Sequence, residues 1–165
     1  MAKKKKKVSV FETNPKLDLI VTIVGVVLLI LSVILYLALP LVKINQSGLV
    51  DIAKYNGFST LFGDDKILNV SYGNIVMVVF LVISAVVAGA KVKDKRFSLL
   101  GSFAGIIASI MIPFSHKMIV FVDGFIDLGI KTSLDFGGYF SLACALIGSL
   151  CLLAVSINAN FDKYD

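Results

Sequence analysis

The stretch LIVTIVGVVLLILSVILYLALPLV, residues 19–42, contains no charged side chain over 24 consecutive positions. An α-helix rises about 1.5 Å per residue, so roughly 20 apolar residues cross the hydrocarbon layer of a membrane. The stretch therefore predicts a transmembrane helix that is long enough to tilt. A cleaved signal peptide has a shorter apolar core that is followed by small residues, whereas residues 39–42 are bulky, so we expect this helix to be retained.

Three more uncharged runs follow, at residues 72–90, 97–115 and 136–161. The composition is 58% hydrophobic, above the roughly half that is typical of globular proteins, and the apolar residues are concentrated in the four runs. A soluble core built from 165 residues does not accommodate four such runs. The fold class that we predict is an all-α membrane protein, a four-transmembrane-helix antiparallel bundle with a small extracellular cap of short strands and a short helix.

The charged residues predict the orientation of these helices, because basic residues near helix ends stay on the cytoplasmic side of a membrane. Eleven of the 16 lysine and arginine residues fall in three segments, the tail 1–18, the connector 91–96 and the tail 162–165. The other five fall in the loops 43–71 and 116–135. We therefore expect a plasma-membrane protein with both termini in the cytoplasm and the two longer loops outside.

The N-terminal tail carries five consecutive lysines, Lys3, Lys4, Lys5, Lys6 and Lys7. One interpretation is a topology determinant on a disordered tail. The other is contact with anionic lipids, which attract basic residues near the surface by about 1 kcal/mol each. Nucleic-acid binding requires a folded basic face with stacking aromatic side chains, so we do not predict it. The lipid bilayer is thus the partner that this tail indicates.

Small residues recur at four-residue spacing in the last three runs, and they predict close contacts because lipid-embedded helices pack where their backbones can approach. The predicted packing positions are Ala85, Gly89, Gly101, Gly105, Ser109, Ser141, Ala145 and Gly148. The first run offers few such residues besides Gly25 and Ser32. We therefore expect helices two, three and four to form the tight unit and helix one to be more exposed to lipid. Homodimerisation is the alternative role of the small residues.

The outer loops have patterns that are typical of folded segments. Residues 41–45, 66–70 and 130–136 contain interleaved or clustered apolar side chains, which predict short strands, with the last strand pairing with the first. Residues 48–63 predict a short amphipathic helix, and Pro40 fits the change from helix to extended chain. The candidate interaction surface of this cap consists of Phe58, Leu61 and Phe62.

Ionisable residues are missing from the central part of every run, and in membrane proteins such residues mark proton relays and ion paths. This argues against a proton-coupled transporter, a carrier of charged substrates and an intramembrane protease. Cys144 and Cys151 lie seven residues apart on one predicted helix, too far for a disulfide, and His116 lacks the converging ligands that a metal site needs. We predict no catalytic residue, cofactor or metal, and we do not expect an enzyme.

A long outer loop, a short inner connector and a shorter second outer loop form a recognisable plan. This plan is similar to claudins and other tetraspan proteins. Together with LPL at 39–41, GFSTLFG at 57–63 and LDFGGYFS at 134–141, it resembles small bacterial four-helix membrane proteins still more closely. The tryptophan and paired cysteines of the first outer loop of claudins are missing here. The resemblance therefore implies an outer sheet on a four-helix bundle and does not support a junction role.

Three functions fit these observations. The first is a structural or interaction protein of the bacterial cell envelope, which would contact another membrane or envelope protein through its cap. The second is a small channel or transport accessory that assembles as a homo-oligomer through the small-residue faces. The third is an immunity or envelope-stress protein that shields the membrane. The abundant lysine, scarce arginine and missing tryptophan are typical of an AT-rich bacterial genome.

Overall fold

The computed structural model of the protein describes residues 15–46, 53–64, 67–90, 95–122 and 130–161. In this part of the chain four helices are long and apolar enough to cross a membrane, the last turns of the third being of the 3₁₀ type. These helices, which we call the bundle, are α1 (Pro15–Ala38), α3 (Tyr72–Ala90), α4 (Lys95–Met111, continued by a 3₁₀ helix over Ile112–Lys117) and α5 (Phe136–Phe161). They are the helices of a multi-pass membrane protein, as the four uncharged runs predict.

The ends of α1 differ from the uncharged run because prolines set them. Pro15 opens the helix four residues before the run begins, since its fixed φ suits the first helical turn and its missing N–H is not needed there. Pro40 prevents the helix from continuing to residue 42, and the N–H of Leu39 makes a last helical bond to Leu35 O, at 3.1 Å. Strand β1 begins at Pro40 itself.

The bundle is held together where backbones cross at small residues. A Cβ atom built on Gly148 of α5 would lie 2.8 Å from the carbonyl oxygen of Gly25 in α1. A Cβ on Gly101 of α4 would lie 2.9 Å from the carbonyl oxygen of Ser84 in α3. A Cβ on Gly105 would collide with the Ser149 hydroxyl. These crossings bring α1 onto α5 and α4 onto both α3 and α5.

The prediction that helix one stands apart from the tight unit is wrong. Besides the contact of Gly25, the Ser32 hydroxyl donates to the carbonyl oxygen of Ser141 at 2.8 Å, and the two hydroxyl oxygens are 2.9 Å apart. Two small residues placed two turns apart are sufficient for a close crossing, so the scarcity of small residues in α1 did not matter. Helix α1 is nevertheless the most exposed of the four. In its most apolar 18-residue segment 28% is buried, against 33–39% in the corresponding segments of the other helices.

Helix α2 and five strands cover one end of the bundle in the described part of the chain, and we call them the cap. Their bounds are Gly57–Phe62 for α2, Pro40–Gln46 for β1, Ala53–Asn56 for β2, Leu68–Asn69 for β3, Val120–Phe121 for β4 and Ile130–Leu134 for β5. Strand β1 pairs antiparallel with β5, with Val42 opposite Leu134, so the predicted pairing of the last strand with the first is confirmed. Strand β1 also pairs with β2, and β3 pairs with β4.

The helix predicted over residues 48–63 is shorter in the structure. Residues 53–56 form strand β2 and the helix covers only Gly57–Phe62, while residues 47–52 lie outside the described part. In β2, Lys54 lies opposite Lys43 of β1 and Tyr55 lies opposite Val42. The backbone N–H and C=O groups of this segment are therefore satisfied by pairing with β1 and not by bonds within a helix.

Candidate functional site in the cap

Helix α2 presents two aromatic rings to the surroundings. Phe58 and Phe62 are four residues apart and therefore share one helix face, where they are 59% and 54% exposed. Their ring centroids are 4.9 Å apart and their planes are inclined by 51°. Leu61 is 3% exposed and belongs to the core. Its assignment to the interaction surface is therefore wrong, because on this helix it faces the bundle, and Phe58 and Phe62 remain.

The sequence around α2 makes a short helix with defined ends. The side-chain oxygen of Asn56 accepts a hydrogen bond from the N–H of Ser59 at 2.9 Å, which is the usual N-cap arrangement. Gly63 ends the helix with a positive φ of 82°, a backbone conformation that favours glycine. Its N–H donates to the Ser59 carbonyl at 2.9 Å. The aromatic pair is therefore carried by a capped helix of one and a half turns.

Helix α2 rests directly on α1 and α3. A Cβ on Gly57 would collide with the carbonyl oxygen of Tyr36, so the backbones touch there and only glycine fits. Leu61 is buried, and its carbonyl accepts a hydrogen bond from the N–H of Ser71, just before α3, at 3.0 Å. The position of the aromatic pair is thus set by the ends of two bundle helices.

Asp135 joins the sheet to the bundle. It is 5% exposed, and its N–H donates to the Leu41 carbonyl of β1 at 2.7 Å. One carboxylate oxygen accepts from the N–H of Phe136 at 2.8 Å, where a negative charge favours the start of α5. The ammonium of Lys43 lies 3.3 Å from that oxygen, and the ammonium of Lys54 lies 3.9 Å from the other. One carboxylate therefore connects β1, β2 and α5.

A second carboxylate shapes the turn after α2. Asp64 accepts hydrogen bonds from the N–H groups of Ile67 and Leu68, both at 2.8 Å. These bonds close a turn beside Gly63. Partial burial raises the pKa of Tyr55 in β2, and the nearby Asp64 carboxylate raises it further. Tyr55 therefore stays neutral through the physiological range, which suits its place in the sheet.

Polar side chains are buried beneath α2, where α1, α3 and the 3₁₀ helix meet. We call Tyr36, Thr60, Asn74 and Ser115 the polar junction, and all four are fully buried. The amide nitrogen of Asn74 donates to the Ser115 carbonyl at 3.3 Å, and Thr60 donates to Gly57 O at 2.8 Å. Sequence reasoning missed this group because its members come from four separate segments. The available signal was a polar residue near one end of three of the four apolar runs.

An apolar groove of about 370 Å³ lies between α1 and α3. Its walls include Val26, Ile30 and Ile34 of α1 and Val82, Ala85 and Gly89 of α3. A Cβ on Gly89 would meet only Val26, at 3.6 Å, which is an ordinary contact. Gly89 is therefore the loosest of the eight predicted packing positions, whereas Ser109, Ser141 and Ala145 are fully buried or nearly so.

The sequence also singles out the lysine tail, the two cysteines and the question of a metal site. Lys3, Lys4, Lys5, Lys6 and Lys7 lie outside the described residues. Cys144 and Cys151 are free thiols of α5, and the described residues contain no group of three or more histidine, cysteine, aspartate or glutamate side chains that could hold a metal. Comparison of the chain with protein-family models, curated proteins and solved structures found no match.

Proposed function

We propose that this multi-pass membrane protein is an interaction protein of the bacterial cell envelope, and that it binds a protein partner through Phe58 and Phe62 of the cap. The observation that carries the proposal is the exposure of both rings on a helix that is fixed from below. Aromatic side chains dominate binding energy at interfaces, and a rigid support lowers the entropy lost on association. The pair therefore has the properties of an anchor for a partner.

The orientation that goes with this proposal places the cap outside the cell and both termini in the cytoplasm. Its support is the distribution of lysine and arginine along the chain, together with the opposite placement of the cap and the start of α1. A cap on the outer face would meet envelope proteins and neighbouring membrane proteins. The plan of an outer sheet on four helices is also the one that the resemblance to claudins implies.

The binding proposal predicts that the double variant Phe58→Ala/Phe62→Ala loses its partner. In vivo crosslinking followed by purification from native membranes should recover the partner with the wild type and at least tenfold less with the variant, because two anchors each contribute more than about 1 kcal/mol. Phe103→Ala is the matched control, since Phe103 is also exposed, at 55%, but lies on α4 within the bundle. Equal recovery with all three proteins, or a wild type that crosslinks to nothing, would contradict the proposal.

The orientation predicts a specific labelling pattern. In a chain whose Cys144 and Cys151 are replaced by serine, a membrane-impermeant thiol reagent should label Lys54→Cys on intact cells, because position 54 belongs to the cap. The same reagent should label Lys93→Cys only after the cells are opened. Labelling of position 93 on intact cells would contradict the proposed orientation. It would leave the description of helix packing unchanged.

The alternative of an oligomeric channel receives less support from the geometry. Oligomerisation through small-residue faces needs those faces free, yet Gly101, Gly105 and Gly148 contact other helices of the same chain. The buried hydroxyls of Ser109 and Ser149 donate to carbonyls of their own helices, at 2.7 and 2.6 Å. These hydroxyls have already used their single donor, so they offer none to a passing anion. Ion flux through the purified protein in proteoliposomes would support the channel hypothesis instead.

A further inference from the structure

Three buried side-chain atoms of the polar junction make no hydrogen bond within the described part of the chain. They are the hydroxyl oxygen of Tyr36, the amide oxygen of Asn74 and the hydroxyl oxygen of Ser115. All three residues are fully buried. A buried polar atom without a partner loses its bonds to water and gains nothing in return, which is why such atoms are rare in native proteins.

These atoms come together at one place. The Asn74 amide nitrogen contacts the Ser115 carbonyl at 3.3 Å, which puts the amide oxygen beside Ser115. The side-chain hydroxyls of Thr60 and Ser115 approach the Tyr36 hydroxyl. Neither approach meets the distance and angle of a hydrogen bond to Tyr36. Neighbouring buried polar groups that do not bond to one another directly are a typical setting of a bridging water molecule.

The chemistry of the three groups selects the ligand. The Asn74 oxygen only accepts hydrogen bonds, whereas the hydroxyls of Tyr36 and Ser115 each donate one and also accept. A water molecule brings two donors and two lone pairs, so it donates to Asn74 and accepts from one or both hydroxyls. The four side chains of the junction carry no formal charge, so a bound ion would remain uncompensated there.

We infer that the polar junction is a binding site for an ordered water molecule, which joins α1, α3 and the 3₁₀ helix beneath α2. Gly57 and Leu61 of α2 lie over the same end of the bundle, and Thr60 places the cap's own hydroxyl beside Tyr36. The water is therefore enclosed between the cap and the bundle and helps to seat α2. This inference concerns the fold of the free protein and does not depend on the proposed partner.

The variant Tyr36→Phe tests the inference because it removes one hydroxyl and keeps the ring. If water bridges the junction, the loss of one of its partners should lower the melting temperature of the purified protein by about 2–4 °C. Without water, the phenol is an unsatisfied buried group, so its removal should leave the melting temperature unchanged or raise it. An unchanged or raised value would overturn the inference.

Two further measurements separate a shared water from unrelated losses. Ser115→Ala combined with Tyr36→Phe should cost clearly less than the sum of the single variants, because both remove partners of the same molecule. Strict additivity would count against the site. Ser109→Ala is the matched control, since its hydroxyl is bonded to its own helix, and it should be additive with Tyr36→Phe. A structure in nanodiscs near 2 Å resolution should show a water peak between Tyr36, Asn74 and Ser115, and a junction without density, or with density larger than water, would refute the proposal.

Discussion

Replacing Gly148 by alanine is expected to lower the free energy of unfolding by about 1–3 kcal/mol, the usual cost of inserting a group into a well-packed core. The new Cβ would lie 2.8 Å from the carbonyl oxygen of Gly25 and 3.1 Å from the Leu29 side chain. A carbonyl oxygen of the helix backbone cannot rotate away, so α1 and α5 must separate. That separation also lengthens the bond between Ser32 and Ser141. Thermal unfolding in detergent would measure the loss.

Gly89→Ala is the matched control for this experiment. It makes the same chemical change in the same kind of helix, but its Cβ would meet only Val26 at 3.6 Å. Alanine restricts the unfolded chain more than glycine, so this variant should be neutral or more stable by up to roughly 1 kcal/mol. Equal destabilisation by both variants would show that the α1–α5 crossing does not decide the outcome, because alanine has the higher helix propensity and does not by itself destabilise a helix. Equal stability of Gly148→Ala and the wild type would contradict the crossing itself.

Replacing Asp135 by asparagine is expected to destabilise the cap by about 1.5–3 kcal/mol, because a hydrogen bond to a charged group contributes about that much and asparagine removes the charge. The carboxylate is almost fully buried and serves Lys43, Lys54 and the first N–H of α5. Asparagine keeps the size and one acceptor oxygen but removes the charge. We expect amide exchange to speed up in β1 and β5, while exchange in the centre of the bundle stays slow, because the cap opens separately.

Lys54→Ala provides the comparison for Asp135→Asn. The Lys54 ammonium is 3.9 Å from the carboxylate and its side chain is 51% exposed, so this exposed pair should contribute at most about 1 kcal/mol. The expected order is therefore a large effect of Asp135→Asn and a small effect of Lys54→Ala. A reversed order, or an unchanged exchange rate in β1 of Asp135→Asn, would show that the strand pairing holds the cap without the carboxylate.

The bundle was predictable because length and uninterrupted apolar character are local properties. The runs at 72–90 and 136–161 coincide with α3 and α5, and the prolines explain the shifted ends of α1. The pairing of β1 with β5 was also predictable, since both segments alternate apolar and polar side chains beside membrane helices. The helices and the strand segments themselves are local and required no knowledge of distant neighbours.

The details that failed depend on contacts between distant segments. The role of Gly25 was hidden because a glycine in an apolar run reveals nothing about Gly148 until the two helices are placed together. Leu61 was assigned to the surface because the face of a helix with one and a half turns is set by what lies beneath it. The polar junction collects Tyr36, Asn74 and Ser115 from three helices, so it existed in the sequence only as isolated polar residues.

The bond between Ser32 and Ser141 joins residues 109 positions apart, and this has a consequence for biosynthesis. Ribosomes add about 5–20 residues per second, so roughly 5–20 s pass between the two serines. Throughout that interval α1 is inserted without α5, and its seam of Gly25 and Ser32 is open to whatever helix is nearby. A chain that stalls before α5 therefore leaves the Ser32 hydroxyl without its hydrogen-bond partner Ser141. The packing of α1 is completed only when the last helix has been made.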